Sequence, residues 1–380
     1  MNMLEVPAKW SFVATVFVAF SVCCLVPASA LAQSPRVETV ASGLENPWAV
    51  AFLPGGRFLV TERPGRLRVV EADGRLLAPV AGLPAVAAQG QGGLLDVVLD
   101  SGFASNHSLY FCFAEPDAGG GSGNSTALAR ATLSADRTRL EDVKVIFSQK
   151  PKVESRLHFG CRIAESRDGS LMLTLGERYS RAQDAQKLDN HLGKVVRIHK
   201  DGSVPRDNPF VGRVGVLPEI WSYGHRNPQG ATLAPDGSYW MHEHGPQGGD
   251  EINIPQAGRN YGWPVITYGE QYGGGKIGEG ITAKDGMEQP LHYWVPSIAP
   301  SGMAFLTSER YGKAWQGNLF VGALVQRHLA RLELDGRKVV RETRLLTDLR
   351  ERIRDVRQGP DGLLYVLTDS AQGRLLRLVP

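Results

Sequence analysis

The chain contains 380 residues, with 42 lysines and arginines against 39 aspartates and glutamates, which gives a formal net charge of +3. So small an excess excludes a nucleic-acid binder whose affinity depends on neutralising many phosphates. A chain of this length, with 21% charged residues and 44 glycines, can bury a large core.

The first predicted element is an apolar run over residues 10–26. Small residues follow it up to Ala32, in the A-x-A pattern of a signal-peptidase site. The sequence therefore predicts a cleavable signal peptide over residues 1–32 and a single domain over residues 33–380. The protein would be periplasmic or secreted, with no stable membrane insertion after cleavage. An uncleaved anchor is the alternative, although about 17 apolar residues are marginal for spanning a bilayer.

Downstream of this segment, a strand–turn–strand unit recurs. Most copies place Asp-Gly or Gly-Gly between two apolar runs, where glycine supplies the positive φ that a tight hairpin turn requires. The clear copies cover residues 50–60, 163–173, 232–241 and 356–367, and looser copies cover residues 96–113 and 302–321.

Six copies of one unit predict an all-β fold, a six-bladed β-propeller, because a small sheet cannot bury both of its faces alone. Strands at residues 36–40 and 375–379 are placed to close the ring. Helical periodicity is confined to residues 181–188, enough for one or two turns. A β-sandwich or a pair of barrels is the alternative, but neither accounts for the repeated hairpin.

Two cysteines, Cys112 and Cys161, lie beyond the predicted signal peptide, both in strand-like runs. In an oxidising compartment they can form a disulfide. They can equally be buried small apolar residues. The sequence leaves both possibilities open.

Loops from successive blades converge at the mouth of a propeller's channel, so residues that are distant in sequence meet there. Arg226, Arg352 and Arg354 offer planar donors for carboxylates or phosphates. A solvated strand face is the structural alternative for the last two. The remaining polar or glycine-rich loops are residues 89–95, 156–160, 174–178, 242–251 and 294–302.

Two of these loops carry further chemistry. His158 can act as a general base near neutral pH, with Glu177 orienting its ring. The backbone carbonyls of Gly245 and Pro246 suit Ca²⁺ when an anionic ligand completes the coordination shell. A structural histidine and an ordinary glycine-rich turn are the alternatives.

Several motifs, in their order along the chain, resemble those of the soluble PQQ-dependent aldose sugar dehydrogenase and glucose dehydrogenase family. The similarity extends over residues 37–379, and it implies a six-bladed propeller. The motifs are LHFG at 157–160, GHRNPQ at 224–229, HGP at 244–246, DEIN at 250–253, NYGWP at 260–264 and RIRD at 352–355.

The resemblance implies an enzyme that oxidises the anomeric carbon of aldose sugars to lactones by hydride transfer to PQQ. Electrons would then pass to an acceptor such as a quinone, a cytochrome or an artificial dye. His158 would be the general base. Glu177 would orient it, where the family commonly has an aspartate. Arg226 would polarise the quinone carbonyl.

The same resemblance implies how the cofactors are held. Gln91 and Asn227 would hydrogen-bond PQQ, Trp294 would lie over its plane, and Arg352 and Arg354 would pair with its carboxylates. The metal ligands would be the carbonyls of Gly245 and Pro246 for the Ca²⁺ that bridges protein and PQQ, and Glu251 with the Tyr261 carbonyl for a second, structural Ca²⁺.

One loop departs from the family pattern. Glucose dehydrogenases have a cofactor-binding lysine in the loop that matches residues 324–327, and this chain has none there. Gln326 or Arg327 would have to substitute for it, which places the chain nearer the broad aldose-sugar branch. A calcium-dependent propeller lactonase and a non-catalytic binding propeller are the alternative functions. Both a monomer and a homodimer are compatible with the sequence.

Overall fold

The computed structural model describes residues 35–380 together with residues 1, 3, 5, 7–9 and 11. Most of the predicted signal peptide therefore lies outside the described residues. In the described part, 24 strands form six four-stranded antiparallel sheets. This confirms the predicted six-bladed β-propeller. Among the described residues, no helix has the length and apolar character needed to cross a membrane.

The first three blades run from their innermost strand outwards, in chain order. Blade 1 is β2 Pro47–Leu53, β3 Arg57–Glu62, β4 Arg66–Val70 and β5 Leu76–Pro79. Blade 2 is β6 Leu94–Leu99, β7 Ser108–Pro116, β8 Asn124–Leu133 and β9 Leu140–Ser148, with the short helix α1 Phe103–Asn106 after β6. Blade 3 is β10 Gly160–Glu165, β11 Leu171–Leu175, β12 Lys194–Ile198 and β13 Ile220–Tyr223.

The last three blades follow the same order. Blade 4 is β14 Pro228–Leu233, β15 Tyr239–Glu243, β16 Asp250–Asn253 and β17 His292–Trp294. Blade 5 is β18 Pro300–Phe305, β19 Leu319–Ala323, β20 His328–Asp335 and β21 Lys338–Leu345. Blade 6 is β22 Ile353–Gln358, β23 Leu364–Thr368 and β24 Gly373–Val379, with β1 Arg36–Leu44 as its outer strand. Short 3₁₀ helices cover Ala182–Gln186 and Thr347–Leu349.

The predicted hairpins are the first two strands of each blade. The inner strands β2, β6, β10, β14, β18 and β22 pack against one another in turn around the central channel. Since all six run in the same direction, their amino-terminal ends lie at one mouth of that channel. The single helical segment expected over residues 181–188 is the 3₁₀ helix Ala182–Gln186.

The ring closes through the two ends of the domain. Strand β1 pairs antiparallel with β24, with Val37 opposite Leu378 and Thr39 opposite Leu376. The predicted closure by the early and final strands is therefore confirmed. Closing a ring of sheets in this way protects the edges that an open array would expose.

Apolar clusters pack between neighbouring blades, and one contact between blades is covalent. Cys112 on β7 and Cys161 on β10 form a disulfide with Cα atoms 6.0 Å apart, which joins blades 2 and 3. The question that the sequence leaves open is thus settled in favour of the bond. Its 49-residue separation corresponds to about 4 kcal/mol of stabilisation on the loop-closure model.

Candidate active site

A cavity of about 290 Å³ lies at the channel mouth formed by the amino-terminal ends of the inner strands. Each of the six blades contributes to its lining. The contributions at the inner-strand ends are Trp48, Leu95, Gly160, Asn227, Ala299 and Arg352. Residues from loops far apart in sequence therefore converge at one place, as the propeller fold predicts.

Positive charge dominates this cavity. Arg352 and Arg354 line it, and both donate to Asp369 Oδ2 at 2.9 Å, from Nε and Nη2 respectively. Burial lowers the pKa of Arg354, and its Nε has no hydrogen-bond partner among the described residues. Although burial alone would raise the pKa of Asp369, Arg354 and Arg352 hold it below its usual value.

A third guanidinium, that of Arg63, lines the same cavity. It comes from the turn between β3 and β4, and the sequence analysis missed it because Glu-Arg-Pro-Gly reads as an ordinary exposed turn. The signal that could have found it is positional. The turn after a blade's second strand lies at the same mouth as the start of its first strand, so a charged residue there can face the channel.

His158 and Glu177 form a buried pair beside the cavity. The distance between His158 Nδ1 and Glu177 Oε2 is 2.6 Å, and only 4% of His158 is exposed. Glu177 Oε2 also accepts the Tyr179 backbone N–H at 2.7 Å. Glutamate is one methylene longer than the aspartate that is common in the family, but the Glu177 carboxylate still contacts the ring. A carboxylate on Nδ1 leaves Nε2 as the acceptor nitrogen of the neutral ring.

The environment of His158 keeps its imidazole neutral. Burial lowers its pKa below the ordinary value of 6.5, Glu177 opposes that effect, and Arg226 and Arg178 add to it. Its backbone N–H donates to Gln91 Oε1 at 2.8 Å. The structure therefore brings Gln91, His158 and Glu177 together, and the histidine is unprotonated at neutral pH.

Arg226 is held rigidly against the next loop. Its backbone N–H donates to Glu243 Oε2 at 2.5 Å, and Nη1 donates to the carbonyls of His244 at 3.1 Å and Gly245 at 2.9 Å. The guanidinium lies 5.3 Å from the Trp263 ring centroid. Its Nε is buried without a partner among the described residues, so a further acceptor is needed to satisfy it.

Asn227 links two inner strands at the cavity wall. Its Oδ1 accepts the Gly160 backbone N–H at 3.2 Å and Gln229 Nε2 at 3.1 Å. Gln91, Gln229 and Asn227 all line the cavity. The cavity therefore offers amide groups as well as guanidinium groups to a ligand.

A second cavity of about 340 Å³ adjoins the pair formed by His158 and Glu177. Its wall includes Glu177, Arg226 and Pro246, together with the aromatic rings of Trp263 and Tyr272. Phe159 and Gly160, which follow His158 in the chain, line the first cavity, and its partner Glu177 lines the second.

The loop that carries the predicted bridging carbonyls is fixed by one buried carboxylate. Asp250 Oδ1 accepts the Gly245 backbone N–H at 3.0 Å. Its Oδ2 accepts Ser297 Oγ at 2.7 Å and the backbone N–H groups of Ile298 at 2.8 Å and Ala299 at 3.0 Å. Burial raises the pKa of Asp250 to about 6 despite these donors.

The residues predicted for the second Ca²⁺ lie in one neighbourhood. Glu251 on β16 pairs in register with Glu243 on β15. Glu243 Oε1 lies 2.9 Å from His225 Nδ1, and the His225 ring stacks on Tyr261 with centroids 4.9 Å apart. Burial, with the Glu243 carboxylate nearby, raises the pKa of Glu251 to about 8. Among the described residues, no three His, Cys, Asp or Glu side chains form a metal-binding group.

Trp294, which the sequence predicts to lie over the cofactor plane, is not among the residues that line the cavity. The indole packs in the core between blades 4 and 5, with 5% of the residue exposed. Its Nε1 donates to Glu342 Oε2 at 2.7 Å. Side chains alternate along β17, where Tyr293 is exposed and Trp294 is buried. Because of this alternation, the Trp294 side chain points into the core between blades 4 and 5 and away from the channel mouth.

The two predicted substitutes for the family's lysine also lie elsewhere. Gln326 Nε2 donates to the Ser297 carbonyl at 3.4 Å, and Arg327 Nη1 donates to the Arg350 carbonyl at 3.3 Å. The members of this loop that line the cavity are the apolar Leu324 and Val325.

Comparisons with known proteins agree with this geometry. The family model for Glucose / Sorbosone dehydrogenase matches residues 44–377. The aldose sugar dehydrogenase YliI of Escherichia coli (strain K12) is 46% identical over 360 residues, covering 93% of this chain and 95% of the relative.

Two solved structures extend the comparison. The soluble aldose sugar dehydrogenase from Escherichia coli in the apo-form superposes with a TM-score of 0.87 at 46% identity, covering 91% of this chain and 99% of that one. The PQQ-bound form of aldose sugar dehydrogenase from Streptomyces coelicolor gives a TM-score of 0.74 at 27% identity, covering 90% and 98%. The chain therefore belongs to the glucose/sorbosone dehydrogenase family of oxidoreductases.

Proposed function

We propose that this protein is a PQQ- and calcium-dependent aldose sugar dehydrogenase. It oxidises the anomeric carbon of an aldose to the lactone and passes the electrons to an acceptor. The observation that carries the proposal is the arrangement at the channel mouth. A cavity lined by three guanidinium groups lies next to a buried His–Glu pair, and Glu177 of that pair lines a second cavity.

The residues present fit PQQ, which is an ortho-quinone with three carboxylates. Arg352 and Arg354 supply charge-assisted donors for carboxylates, and Gln91 and Asn227 supply amides. Buried N–H groups without partners, at Nε of Arg226 and Nε of Arg354, are donors that an acceptor-rich ligand would satisfy. When bound, PQQ supplies the group that accepts two electrons.

The chain's own part in the chemistry centres on His158. Because burial lowers its pKa, the ring is neutral at pH 7 and Nε2 can accept the proton of the anomeric hydroxyl. Glu177 fixes the tautomer through Nδ1 and stabilises the imidazolium that forms. Positioned base catalysis of this kind contributes roughly 10²–10⁴-fold to rate.

Arg226 provides fixed positive charge at the wall of the second cavity. Its hydrogen bonds to the carbonyls of residues 244 and 245 and its contact with Trp263 hold the guanidinium in place before any ligand arrives. A donor that is already oriented costs no reorganisation when negative charge develops, and each such donor is worth roughly 3–4 kcal/mol.

Calcium would bind at two places. The carbonyls of Gly245 and Pro246 would hold the ion that contacts the cofactor, and Asp250 keeps their loop in position through the Gly245 N–H. Glu251 and the Tyr261 carbonyl would hold the second ion, where it would offset the charge of the adjacent Glu243 and Glu251. Carboxylate and carbonyl oxygens are the donors that Ca²⁺ prefers.

The cavity of about 340 Å³ is proposed as the sugar site. Aromatic rings and a few polar groups are the usual lining of a small-molecule pocket. This cavity places Glu177 and Arg226 beside Trp263 and Tyr272. We also infer export, because the A-x-A sites that end residues 1–32 are those of a signal peptide.

Reconstitution tests the proposal. Purified protein is mixed with PQQ and CaCl₂, PQQ uptake is titrated by tryptophan fluorescence, and dye reduction is followed with several aldoses. We expect saturable PQQ uptake and aldose-dependent dye reduction. Absence of saturable uptake in the presence of Ca²⁺ would refute the proposed function.

A further inference from the structure

Arg63 is a cation at the cavity without a counter-ion. Arg352 and Arg354 share Asp369, whereas Arg63 forms no ion pair with any carboxylate of the described chain. The charged residues that line the cavity are these three arginines and that one aspartate. His244 also lines it, but burial lowers its pKa to about 3, so it adds no charge. The cavity therefore has an excess of two positive charges.

The backbone of Arg63 is fixed between two loops. Its N–H donates to the Asn46 carbonyl at 3.0 Å, and its carbonyl accepts the Leu94 N–H at 3.1 Å. Gly93 lies directly against this carbonyl, with φ of 153°, and a Cβ there would be 2.0 Å from the Arg63 oxygen. Only glycine permits so close an approach, so the start of β6 and the β3–β4 turn are locked together.

Two hydrogen bonds within the protein orient the Arg63 side chain, but they use only some of its N–H donors. Nη1 donates to the Gly90 carbonyl, and Nη2 donates to Asn46 Oδ1 at 3.4 Å. A guanidinium has five N–H donors in a planar fork, so donors remain for a ligand in the cavity. Arg63 is neither free in solvent nor neutralised within the protein.

We propose that Arg63 binds a carboxylate of the quinone cofactor. It would do so from a different blade than Arg352 and Arg354. Blade 1 would supply one cation and blade 6 the other two, so that the anion spans the junction of these blades. The proposal rests on the proposed function, since it names a residue for the same cofactor. The third cation of the cavity would thus come from blade 1. The loop at residues 324–327, where glucose dehydrogenases have their cofactor-binding lysine, contributes apolar residues to the lining.

Equilibrium binding of PQQ to the full-length apo-protein tests this. Arg63→Met keeps the stem and removes the charge, and Arg66→Met is the matched control. Arg66 starts the next strand, pairs with Glu62 and Glu45, and does not line the cavity. With Ca²⁺ present, we expect Arg63→Met to raise the PQQ Kd about 10- to 100-fold, as loss of a charge-assisted contact would. Arg66→Met should leave it within about twofold.

The outcomes separate this inference from the proposed function. If wild-type protein binds no PQQ, the proposed function fails. If wild-type protein binds and Arg63→Met binds equally well, only the role of Arg63 is overturned. A merely structural role would lower the thermal midpoint of the apo-protein, whereas we expect that midpoint to stay the same or rise, because removing Arg63 relieves repulsion from Arg354.

A second variant keeps the proposal testable should Arg63→Met fail to fold. Arg63→Lys retains the charge but not the planar fork, and we expect a several-fold increase in Kd. Its Kd should also depend on salt concentration as steeply as that of wild-type protein, since the number of cations is unchanged. A Kd equal to that of wild-type protein would overturn the role of Arg63.

Discussion

The channel contains two groups of arginines and aspartates that differ in charge balance. In the interior, Arg162 and Arg357 share Asp96 and Asp355, and we call these four residues the channel quartet. Arg162 Nη1 lies 3.2 Å from Asp96 Oδ1 and 3.0 Å from Asp355 Oδ1. Arg357 lies 2.7 Å and 3.0 Å from the same two carboxylates. Two cations meet two anions, and both aspartates are fully buried.

The mouth of the channel carries the same residue types in unequal numbers. There Arg63, Arg352 and Arg354 face Asp369 alone. The charges of the channel quartet neutralise one another, and the quartet therefore has a structural role. A set with surplus cations remains incomplete until an anion arrives, and it is the mouth that adjoins His158. Charge balance, more than residue type, thus distinguishes the interior of the channel from the mouth, where we propose that the ligand binds.

The largest expected effect breaks function at the mouth without affecting the fold. His158→Ala should lower kcat by roughly 10²–10⁴-fold because the general base is lost. PQQ binding should be retained, since the imidazole is not among the cations, and the protein should stay folded, with a lower thermal midpoint because buried Glu177 loses its partner. Steady-state dye reduction measures the first, and fluorescence titration and calorimetry measure the others. Turnover close to that of wild-type protein would remove His158 from the mechanism.

The converse change breaks the fold at the quartet. Asp355→Asn leaves Arg162 and Arg357 with one carboxylate, and loss of one partner from a buried ion pair costs about 3–5 kcal/mol. Urea unfolding should show this loss in the free energy of unfolding, while the folded fraction should bind PQQ with unchanged Kd. Asp73→Asn, at an aspartate with 69% of its side chain exposed, is the control. Equal midpoints for the two variants would contradict the contrast.

A third cationic site has no carboxylate partner within the part of the chain that the structure describes. Lys194 is fully buried, and its Nζ donates to the carbonyls of Asp184 at 3.0 Å, Ala185 at 3.1 Å and Leu192 at 2.6 Å. The Ala185 carbonyl also accepts the Gly224 N–H at 2.9 Å. Lys194 therefore supports the loop that leads into Arg226.

Burial lowers the pKa of Lys194 from 10.5 to about 7. Between these values the unfolded chain binds more protons than the folded one, so this group makes stability rise with pH. Its slope is at most about 1.4 kcal/mol per pH unit. In Lys194→Met the free energy of unfolding should rise less between pH 7 and pH 10 than in wild-type protein. Parallel pH dependences would show that the ammonium titrates normally.

The smallest expected effect concerns the acid limb of the pH profile of kcat/KM. Because burial lowers the pKa of His158, kcat/KM should hold at pH 6.5 and fall only at lower pH, as the base becomes protonated. Glu177 raises that pKa, so Glu177→Gln should move the acid limb to still lower pH while reducing the maximal rate. A pH profile of both proteins measures this. A limb that moves to higher pH in the variant would contradict the assigned pair.

The repeated hairpins could be predicted because their signal is local. Asp236–Gly237 and Asp361–Gly362 each fix a turn between two apolar runs, and the propeller follows from counting such turns. His158 and Glu177 could be named as a pair because they lie in adjoining loops of one blade and in recognisable motifs. Their 2.6 Å contact needed no long-range information.

The failures share a different cause, which is side-chain direction set by tertiary packing. Trp294 alternates with Tyr293 along a short strand, and nothing in the residues themselves states which of the two faces the core. Arg63 looks like a solvated turn residue until Gly93 and Asn46 are seen to fix it. The pairing of Cys112 with Cys161 required knowing that β7 and β10 are neighbours.

The closure of the ring by β1 and β24 has a consequence for the assembly of the cavity at the channel mouth. Arg352, Arg354 and Asp369 belong to the blade that is completed only when the first strand of the domain joins the last three. Arg63 lies on the blade next to it. The cavity at the channel mouth is therefore complete only when β1 and the last three strands are paired, whichever blades fold earlier. A variant that lacks β1 or β24 would keep the other five blades but would disrupt the blade that carries Arg352, Arg354 and Asp369, so we expect it to lose the proposed quinone binding.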